Sequence, residues 1–191
     1  MDILIRSTPA EVAAAAADIF VRYANAGATL GLATGSTPVP LYQELVARCE
    51  RGEVSFARSR AFLLDEYVGL DRTHEQSYYS TIRRVFTSHV DFNDELVQSP
   101  EGDAADPDCA AASYDQAIRH AGGIDIHLLL LATGAGKATA VRNMVEGPLS
   151  AHCPASILQL HPRATVILDE DAASQLEDNE YYRFVDEHRP R

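Results

Sequence analysis

The stretch ATLGLATGSTPVPLYQELVAR at residues 28–48 passes from a short apolar run through a glycine-containing loop into a helical pattern. Residues 28–33 predict a buried strand, and the pattern that follows predicts a helix over residues 38–48 with Thr37 as its N-cap. Short apolar runs alternate with longer helical patterns along the rest of the chain as well. That alternation is typical of a parallel sheet covered by helices, so the sequence predicts an α/β fold.

The remaining elements follow from the same kinds of pattern. Thr8 and Glu11 have the spacing of a capping box at the start of an alanine-rich helix. We predict further helices over residues 77–86, 109–121, 138–146 and 173–185, and strands over residues 60–64, 124–131 and 164–168. His127 lies inside one of these apolar runs, and we interpret it as a core histidine.

Length and charge restrict the class of protein. A chain of 191 residues can form one substantial core, so we expect a single domain over residues 1–191. The formal net charge of -12 and the lack of a long Lys/Arg run argue against nucleic acid or membrane as a partner, because both favour a basic surface. Residues 1–6 are too short and too charged for a signal peptide, and no apolar run has the length of a membrane span. We therefore expect a cytoplasmic protein.

The cysteines and histidines suggest no metal or disulfide chemistry. Cys49, Cys109 and Cys153 are widely spaced and include no Cys-x-x-Cys pair, so we expect buried thiols in a reducing compartment. The histidines show no spacing typical of metal ligands. No metal site is predicted.

Two carboxylates, Asp65 and Glu66, directly follow the predicted strand at residues 60–64. The carboxyl edge of a parallel sheet is where α/β proteins place their chemistry, and a partly desolvated carboxylate there can act as a base near neutral pH. Successive side chains at a strand end point to opposite sides, so one of the two is expected to face a ligand. For most Asp-Glu pairs the simpler interpretation is a solvated pair or an acid at the start of a helix.

Two loops offer groups that bind anions. Gly35, Ser36 and Thr37 lie between a strand and a helix, where backbone N–H groups, the helix dipole and two hydroxyls can contact a phosphate. The local pattern is equally typical of an ordinary tight turn. A second loop, TGAGK at residues 133–137, also follows a buried strand, and Lys137 can neutralise a phosphate as a point charge. Together the loops and the carboxylates point to a phosphorylated small molecule.

Four segments, taken in order, resemble the glucosamine-6-phosphate deaminase family. They are LGLATGSTPVPLYQELV (30–46), FLLDEYVGL with HEQSYYSTI after it (62–82), LLLATGAGKATAV (129–141) and SILQLHPRATVILDE (156–170). The resemblance implies a Rossmann-like fold with a mostly parallel sheet and helices on both faces, and no cofactor. It also implies conversion of glucosamine 6-phosphate to fructose 6-phosphate and ammonia. The implied partner is thus a small sugar phosphate, and whether the chain forms a homo-oligomer is open.

The resemblance also implies roles for particular residues. Asp65 is similar to the family's base, which moves a proton between carbons 2 and 1 of the open-chain sugar. Gly35, Ser36, Thr37 and Lys137 are similar to its phosphate-binding residues. Holding a remote phosphate would orient carbon 2 against the carboxylate.

The chain departs from the family at one place. Family members carry a G-x-G-x-D-G-H-I-x-F-N-E-P segment between the strands that resemble residues 124–128 and 129–132, and it is absent here. With it go the Asp, His and Glu that resemble a ring-opening relay, and an Arg that also binds the phosphate. We expect a deletion junction near residues 128–131. The alternatives left open are a catalytically silent sugar-phosphate sensor, a truncated relic, and a related sugar-phosphate isomerase or lactonase.

Overall fold

The computed structural model describes residues 1–126, 129–161 and 164–189, which form two compact units. The first unit comprises residues 1–16 and 128–191, and the second comprises residues 17–127. The strands are β1 (Asp2–Arg6), β2 (Thr29–Leu32), β3 (Arg60–Leu63), β4 (Val97–Gln98), β5 (Leu129–Ala132) and β6 (Thr165–Asp169). The helices are α1 (Pro9–Ala26), α2 (Val39–Glu50), α3 (Tyr78–Val85), α4 (Pro107–His120), α5 (Ala138–Val145), α6 (Glu170–Ala173) and α7 (Asn179–Glu187).

The sheet of the first unit has the strand order β1-β6-β5, and both pairs are parallel. Its central strand β6 is buried from Val166 to Asp169, as expected for a parallel strand that is covered on both faces. The core of this unit is formed by side chains of the sheet, α5, α6 and the residues after α6: Ile3, Ile5, Ala132, Val141, Met144, Val145, Val166, Leu168, Ala172, Ala173 and Leu176.

The sheet of the second unit has the order β2-β3-β4 and is also parallel. Its core contains an aromatic cluster in which Tyr42 stacks on Phe86 at 4.8 Å between ring centroids, and Phe56 meets Phe86 edge-on at 5.3 Å. Burial of these large rings stabilises α2, which carries Tyr42, and the end of α3, which Phe86 directly follows. The predicted parallel α/β class is therefore confirmed, with the strands distributed over two sheets.

The apolar run at residues 124–131 contains two segments with different pairing partners, as its resemblance to two separate family strands implied. Ile126 makes an isolated parallel bridge to Leu30 in the second unit, whereas β5 pairs with β6 in the first. The local pattern alone indicated one strand, because an apolar run carries no information about its pairing partner. His127, and residue 128 of the predicted junction, lie outside the described residues.

Several local predictions hold and others fail. The Thr8 hydroxyl accepts a hydrogen bond from the Glu11 N–H at 3.2 Å, as a capping box requires, although Glu11 accepts from Ser7 and not from Thr8. Thr37 is not an N-cap, because α2 begins one residue later and Pro38 occupies that position. The predicted helix at 173–185 is interrupted between α6 and α7.

The thiols are more accessible than predicted. Cys109 is exposed, and Cys49 and Cys153 are half-buried. The Asp106 carboxylate caps the helix on which Cys109 lies, accepting from Asp108 and Cys109 N–H groups at 3.1 Å, so Cys109 sits in the exposed first turn. Among the described residues, no helix is long and apolar enough to cross a membrane.

Candidate functional site

The loops that follow β2 and β3 leave the same edge of the sheet in the second unit. The two strands are adjacent and parallel, Leu32 is paired with Leu63, and the Leu64 N–H donates to the Leu32 carbonyl at 3.1 Å. Gly35 follows β2 by three residues and Asp65 follows β3 by two. The tertiary structure therefore brings the glycine-containing loop and the carboxylates together at one edge, as the sequence predicted.

Tyr42 fixes the start of the glycine-containing loop. Its hydroxyl donates to the Ala33 carbonyl at 2.7 Å and accepts from the Ala33 N–H at 3.1 Å, so both backbone groups of Ala33 are satisfied. Tyr42 is only 2% exposed, and burial raises the pKa of its phenol. A buried aromatic side chain thus holds the loop from the side of the core, a role that no local sequence pattern indicates.

Beyond Ala33 the loop opens to solvent. Gly35, Ser36 and Thr37 are exposed, and Gly35 adopts a φ of +104°, which favours glycine. Within the part of the chain that the structure describes, no acceptor is hydrogen-bonded to the N–H groups of Gly35, Ser36 and Thr37. Pro38 and Pro40 have no N–H, so these loop groups, more than the first turn of α2, can bind an anion.

Asp65 and Glu66 have different environments. Asp65 is exposed, so the partial desolvation that we predicted for it is not present. Glu66 is half-buried and accepts from the N–H groups of Tyr67, Tyr78 and Tyr79 at 2.9, 2.8 and 3.0 Å. Its charge is thereby placed at the N-terminus of α3, where the helix dipole favours it. Glu66 holds the loop to the helix, whereas the exposed Asp65 carboxylate has no hydrogen bond or ion pair within residues 1–126, 129–161 and 164–189.

Tyr78 connects the two loops. Its hydroxyl donates to the Tyr67 hydroxyl at 2.9 Å and also contacts the Thr34 side chain. The hydrogen bond with Tyr67, burial, and the nearby charge of Asp65 together raise the pKa of Tyr78. Sequence reasoning missed this residue, because its partners are 11 and 44 positions away. The tyrosine pair also forms one wall of an open groove of about 540 Å³ whose other lining residues are Val68, Leu70, Glu75, Gln76, Thr81 and Arg84.

Gly102 supports the carboxylate loop from outside. Its carbonyl accepts from the Gly69 N–H at 2.6 Å, and a Cβ added to it would lie 2.4 Å from the Tyr67 carbonyl oxygen and 2.7 Å from that of Leu70. Only glycine allows the backbones to approach so closely. The sequence contains no local signal for this contact.

Lys137 belongs to the first unit. It ends a 3-10 helix, Ala135–Lys137, that begins after Gly134, where φ is +83°. Lys137 is exposed, and among the described residues it forms no ion pair. The Gly134 N–H donates to the Asp169 carboxylate, and the Lys137 N–H donates to the Gly134 carbonyl at 3.0 Å. Asp169 is a second residue that sequence reasoning missed. That Lys137 shares a phosphate site with Gly35, Ser36 and Thr37 stays a prediction.

Two comparisons of sequence reveal relatives. The family model for glucosamine-6-phosphate isomerases and 6-phosphogluconolactonases matches residues 4–129. Glucosamine-6-phosphate deaminases of Corynebacterium aurimucosum and Corynebacterium kroppenstedtii are 56% and 46% identical to this chain, and each alignment covers at least 99% of the chain and 98% of the relative. The first alignment spans 252 positions whereas the chain has 191 residues, so at least 61 positions inside the aligned span lie opposite no residue here.

Solved structures show the same architecture. A monomeric glucosamine-6-phosphate deaminase, 27% identical, superposes with a TM-score of 0.87 over 92% of this chain and 100% of its own. The 6-phosphogluconolactonase of Trypanosoma cruzi, 17% identical, shares the fold with a TM-score of 0.72 over 92% of this chain and 97% of its own. The extent of the family match and the identity to the corynebacterial relatives assign this chain to the glucosamine-6-phosphate isomerase/6-phosphogluconolactonase family, as a member that lacks an internal segment.

Proposed function

We propose that this protein is a glucosamine-6-phosphate deaminase, an enzyme of amino-sugar metabolism that converts glucosamine 6-phosphate to fructose 6-phosphate and ammonia. The observation that carries the proposal is the placement of Asp65 beside the Gly35–Thr37 loop at adjacent strand ends, in a chain 56% identical to a protein of that name. A phosphate bound by the loop would hold the sugar with its reacting carbons near the free carboxylate. Such positioning lowers the entropic part of the barrier.

The reaction requires one base and one water molecule. Asp65 removes the proton from carbon 2 of the open-chain amino aldehyde and returns it to carbon 1, while one proton of the amino group passes through solvent to the carbonyl oxygen on carbon 1. Carbon 1 thereby becomes a primary alcohol, and the amine on carbon 2 becomes an imine. Water adds to this imine, ammonia leaves, and the ketone of fructose 6-phosphate remains. Because Asp65 is exposed, a substrate that enters from solvent can contact its carboxylate. Thr34 and Tyr78 line the approach to it.

Phosphate binding is assigned to Gly35, Ser36, Thr37 and Lys137. The first three supply N–H groups and hydroxyls, and Lys137 supplies a cation that has no carboxylate partner within the described residues. Cationic side chains and backbone N–H donors are the groups that usually bind phosphate. They can form a local anion site even in a chain of net charge -12. Lys137 is included because it follows a strand end in the first unit in the same way as Gly35 does in the second.

We further propose that the internal segment is missing at residues 128–131. Two observations support this position. The family match ends at residue 129, and the residues on either side pair with different sheets, Ile126 with Leu30 and β5 with β6. The missing segment would have carried the ring-opening groups, so this chain acts on the open-chain sugar that forms spontaneously in water, and its turnover is slow.

A second candidate function is a sugar-phosphate-binding protein without turnover. The same gap favours it, because the residues that remain supply phosphate donors and one carboxylate but no acid-base partner for ring opening.

A cytoplasmic location is proposed for either function, since phosphorylated sugars are charged and do not cross membranes unaided. Light scattering decides between a monomer and a homo-oligomer.

Purified protein incubated with glucosamine 6-phosphate tests the proposal. We expect ammonia and fructose 6-phosphate in equal amounts, loss of both in Asp65→Asn, and retention of hexose-phosphate binding in that variant. Asp103→Asn, which changes another exposed carboxylate of the same unit, is the control and keeps the wild-type rate. A wild-type rate in Asp65→Asn would show that the base is another group. Binding without turnover favours the sensor, and neither binding nor turnover favours a relic.

A further inference from the structure

Asp169 is a buried carboxylate at the end of β6 whose hydrogen-bond partners, in the part of the chain that the structure describes, are all backbone N–H groups. It is 3% exposed. Its Oδ1 accepts from Gly134 at 3.0 Å and from Ala172 at 2.8 Å, and its Oδ2 accepts from Gly134 at 2.9 Å. Among the described residues no cation is paired with it. Burial of a carboxylate is costly, so its hydrogen bonds must offset that cost.

The bonds to Gly134 join the loops of two neighbouring strands. β5 and β6 are adjacent and parallel, and Ala132 is paired with Leu168, so Gly134 and Asp169 leave the same strand edge. The N–H of Gly134 is held by Asp169, and its carbonyl accepts from the Lys137 N–H. The position and direction of the Lys137 turn are therefore fixed through one glycine.

Capping of α6 does not by itself explain why residue 169 is an aspartate. The cap needs only the bond to Ala172, and α6 has four residues. A serine, threonine or asparagine could supply one such acceptor. The second oxygen is directed only to Gly134, and a carboxylate is the side chain that offers both oxygens as acceptors.

We propose that Asp169 is a positioning residue that holds the Gly134–Lys137 turn in the conformation that binds the substrate phosphate. This inference rests on the proposed function, because it assigns the phosphate of that substrate to Lys137. Asp169 does not contact the ligand itself. Gly134 donates its N–H to the Asp169 carboxylate and accepts from the Lys137 N–H, so it determines where the exposed Lys137 side chain begins.

A double-mutant cycle tests the proposal, with glucosamine 6-phosphate and inorganic phosphate as ligands in calorimetry. We expect Asp169→Asn to weaken binding of both about tenfold, since an amide offers one acceptor in place of two and loosens the turn by an energy comparable to one hydrogen bond. In a Lys137→Ala background, Asp169→Asn should change the affinity less than about twofold. A residue that only stabilises the fold would not show this dependence on Lys137.

The matched control is Glu146→Gln, in the same unit. Glu146 also accepts from backbone N–H groups, those of Glu177 and Asp178, but does not contact the Lys137 turn, so its variant keeps wild-type affinity. If Asp169→Asn does not fold, Gly134→Ala replaces it, because an alanine there is strained by the positive φ while its Cβ has open space. It should lower phosphate affinity with the same dependence on Lys137.

The outcomes separate the two proposals. Wild-type affinity in Asp169→Asn, or an equal loss with and without Lys137, overturns the positioning role while leaving the deaminase proposal intact. If phosphate binding shows the expected dependence of Asp169→Asn on Lys137 but the protein has no turnover, the positioning role is supported and the deaminase proposal is overturned. If the wild-type protein binds neither ligand, both proposals fall.

Discussion

The Glu66 carboxylate holds the first N–H groups of α3, accepting from Tyr78 at 2.8 Å through Oε1 and from Tyr79 at 3.0 Å through Oε2. One residue before it, Asp65 is exposed. The two adjacent acids therefore have different roles. Glu66 fixes the loop to a helix, and the loop presents Asp65 at the strand edge.

Glu66→Gln should impair both stability and turnover. The amide keeps one acceptor and loses the charge at the start of α3, so we expect a loss of about 1–2 kcal/mol in the free energy of unfolding. Since the loop that carries Asp65 loosens, kcat should fall more than KM rises. Urea unfolding and steady-state kinetics measure the two effects. Glu95→Gln, which alters an exposed acid of the same unit outside the groove, should change neither the stability nor kcat, and equal behaviour of the two variants would contradict the role given to Glu66.

Tyr42→Phe should destabilise the protein and reduce its sensitivity to alkali. Removal of the hydroxyl leaves the Ala33 N–H and carbonyl without their partner, at a cost of about 1–3 kcal/mol. Burial raises the pKa of Tyr42 above its ordinary value of 10.0, so the wild-type stability is complete below pH 10 and declines as the pH rises beyond it.

Denaturant titration measures the free energy of unfolding and tests this expected pH dependence. The titrations run between pH 8 and pH 11, roughly one unit or more on either side of the phenol's ordinary pKa. The Tyr42→Phe curve should be flatter than that of the wild type at the alkaline end. Tyr181→Phe, which alters a tyrosine that is 63% exposed, should reproduce the wild-type curve. A Tyr42→Phe curve as steep as the wild type would show that other groups cause the alkaline loss.

Gly102→Ala should displace the loop that carries Asp65 and Glu66 although it changes no residue of that loop. Its Cβ would approach the carbonyl oxygens of Tyr67 and Leu70 to distances that real Cβ atoms do not show, so the loop backbone must move. We expect a loss of about 1–3 kcal/mol in unfolding free energy and a lower kcat. Gly136→Ala, where a Cβ meets open space, is the control for stability alone. Wild-type stability in Gly102→Ala would refute the close approach.

Insertion of the missing segment should raise turnover. The aligned segment of the Corynebacterium aurimucosum relative, placed between residues 128 and 129, would restore groups for ring opening, and we expect kcat to rise about a hundredfold. A Gly/Ser linker of equal length is the control and should not raise it. Equal rates for the two insertions, or a rise only when the segment is placed elsewhere, would contradict the proposed junction.

Local signals predicted much of the fold. The start of α1 at Thr8 and Glu11 follows from a capping pattern, because an N-cap depends on residues only three positions apart, and the helix predicted over residues 77–86 corresponds to α3. Thr37 was predicted as a cap by the same rule and is not one, since Pro38 takes that place. The placement of Asp65 and Gly35 in loops at strand ends was predicted in the same way, because each follows an apolar run by one or two residues, whereas their roles stay predictions.

The sequence by itself determined the parallel α/β class and placed Asp65, the Gly35–Thr37 loop and Lys137 after the ends of strands, because hydrophobic periodicity and loop composition are local properties. Only the tertiary structure decided that residues 124–126 and β5 pair with different sheets, that Glu66 holds α3, and that Asp169 holds Gly134. Parallel pairing and carboxylate-to-backbone bonds join residues that are distant in the chain, such as Asp169 and Gly134, which are 35 positions apart. No local pattern records such contacts.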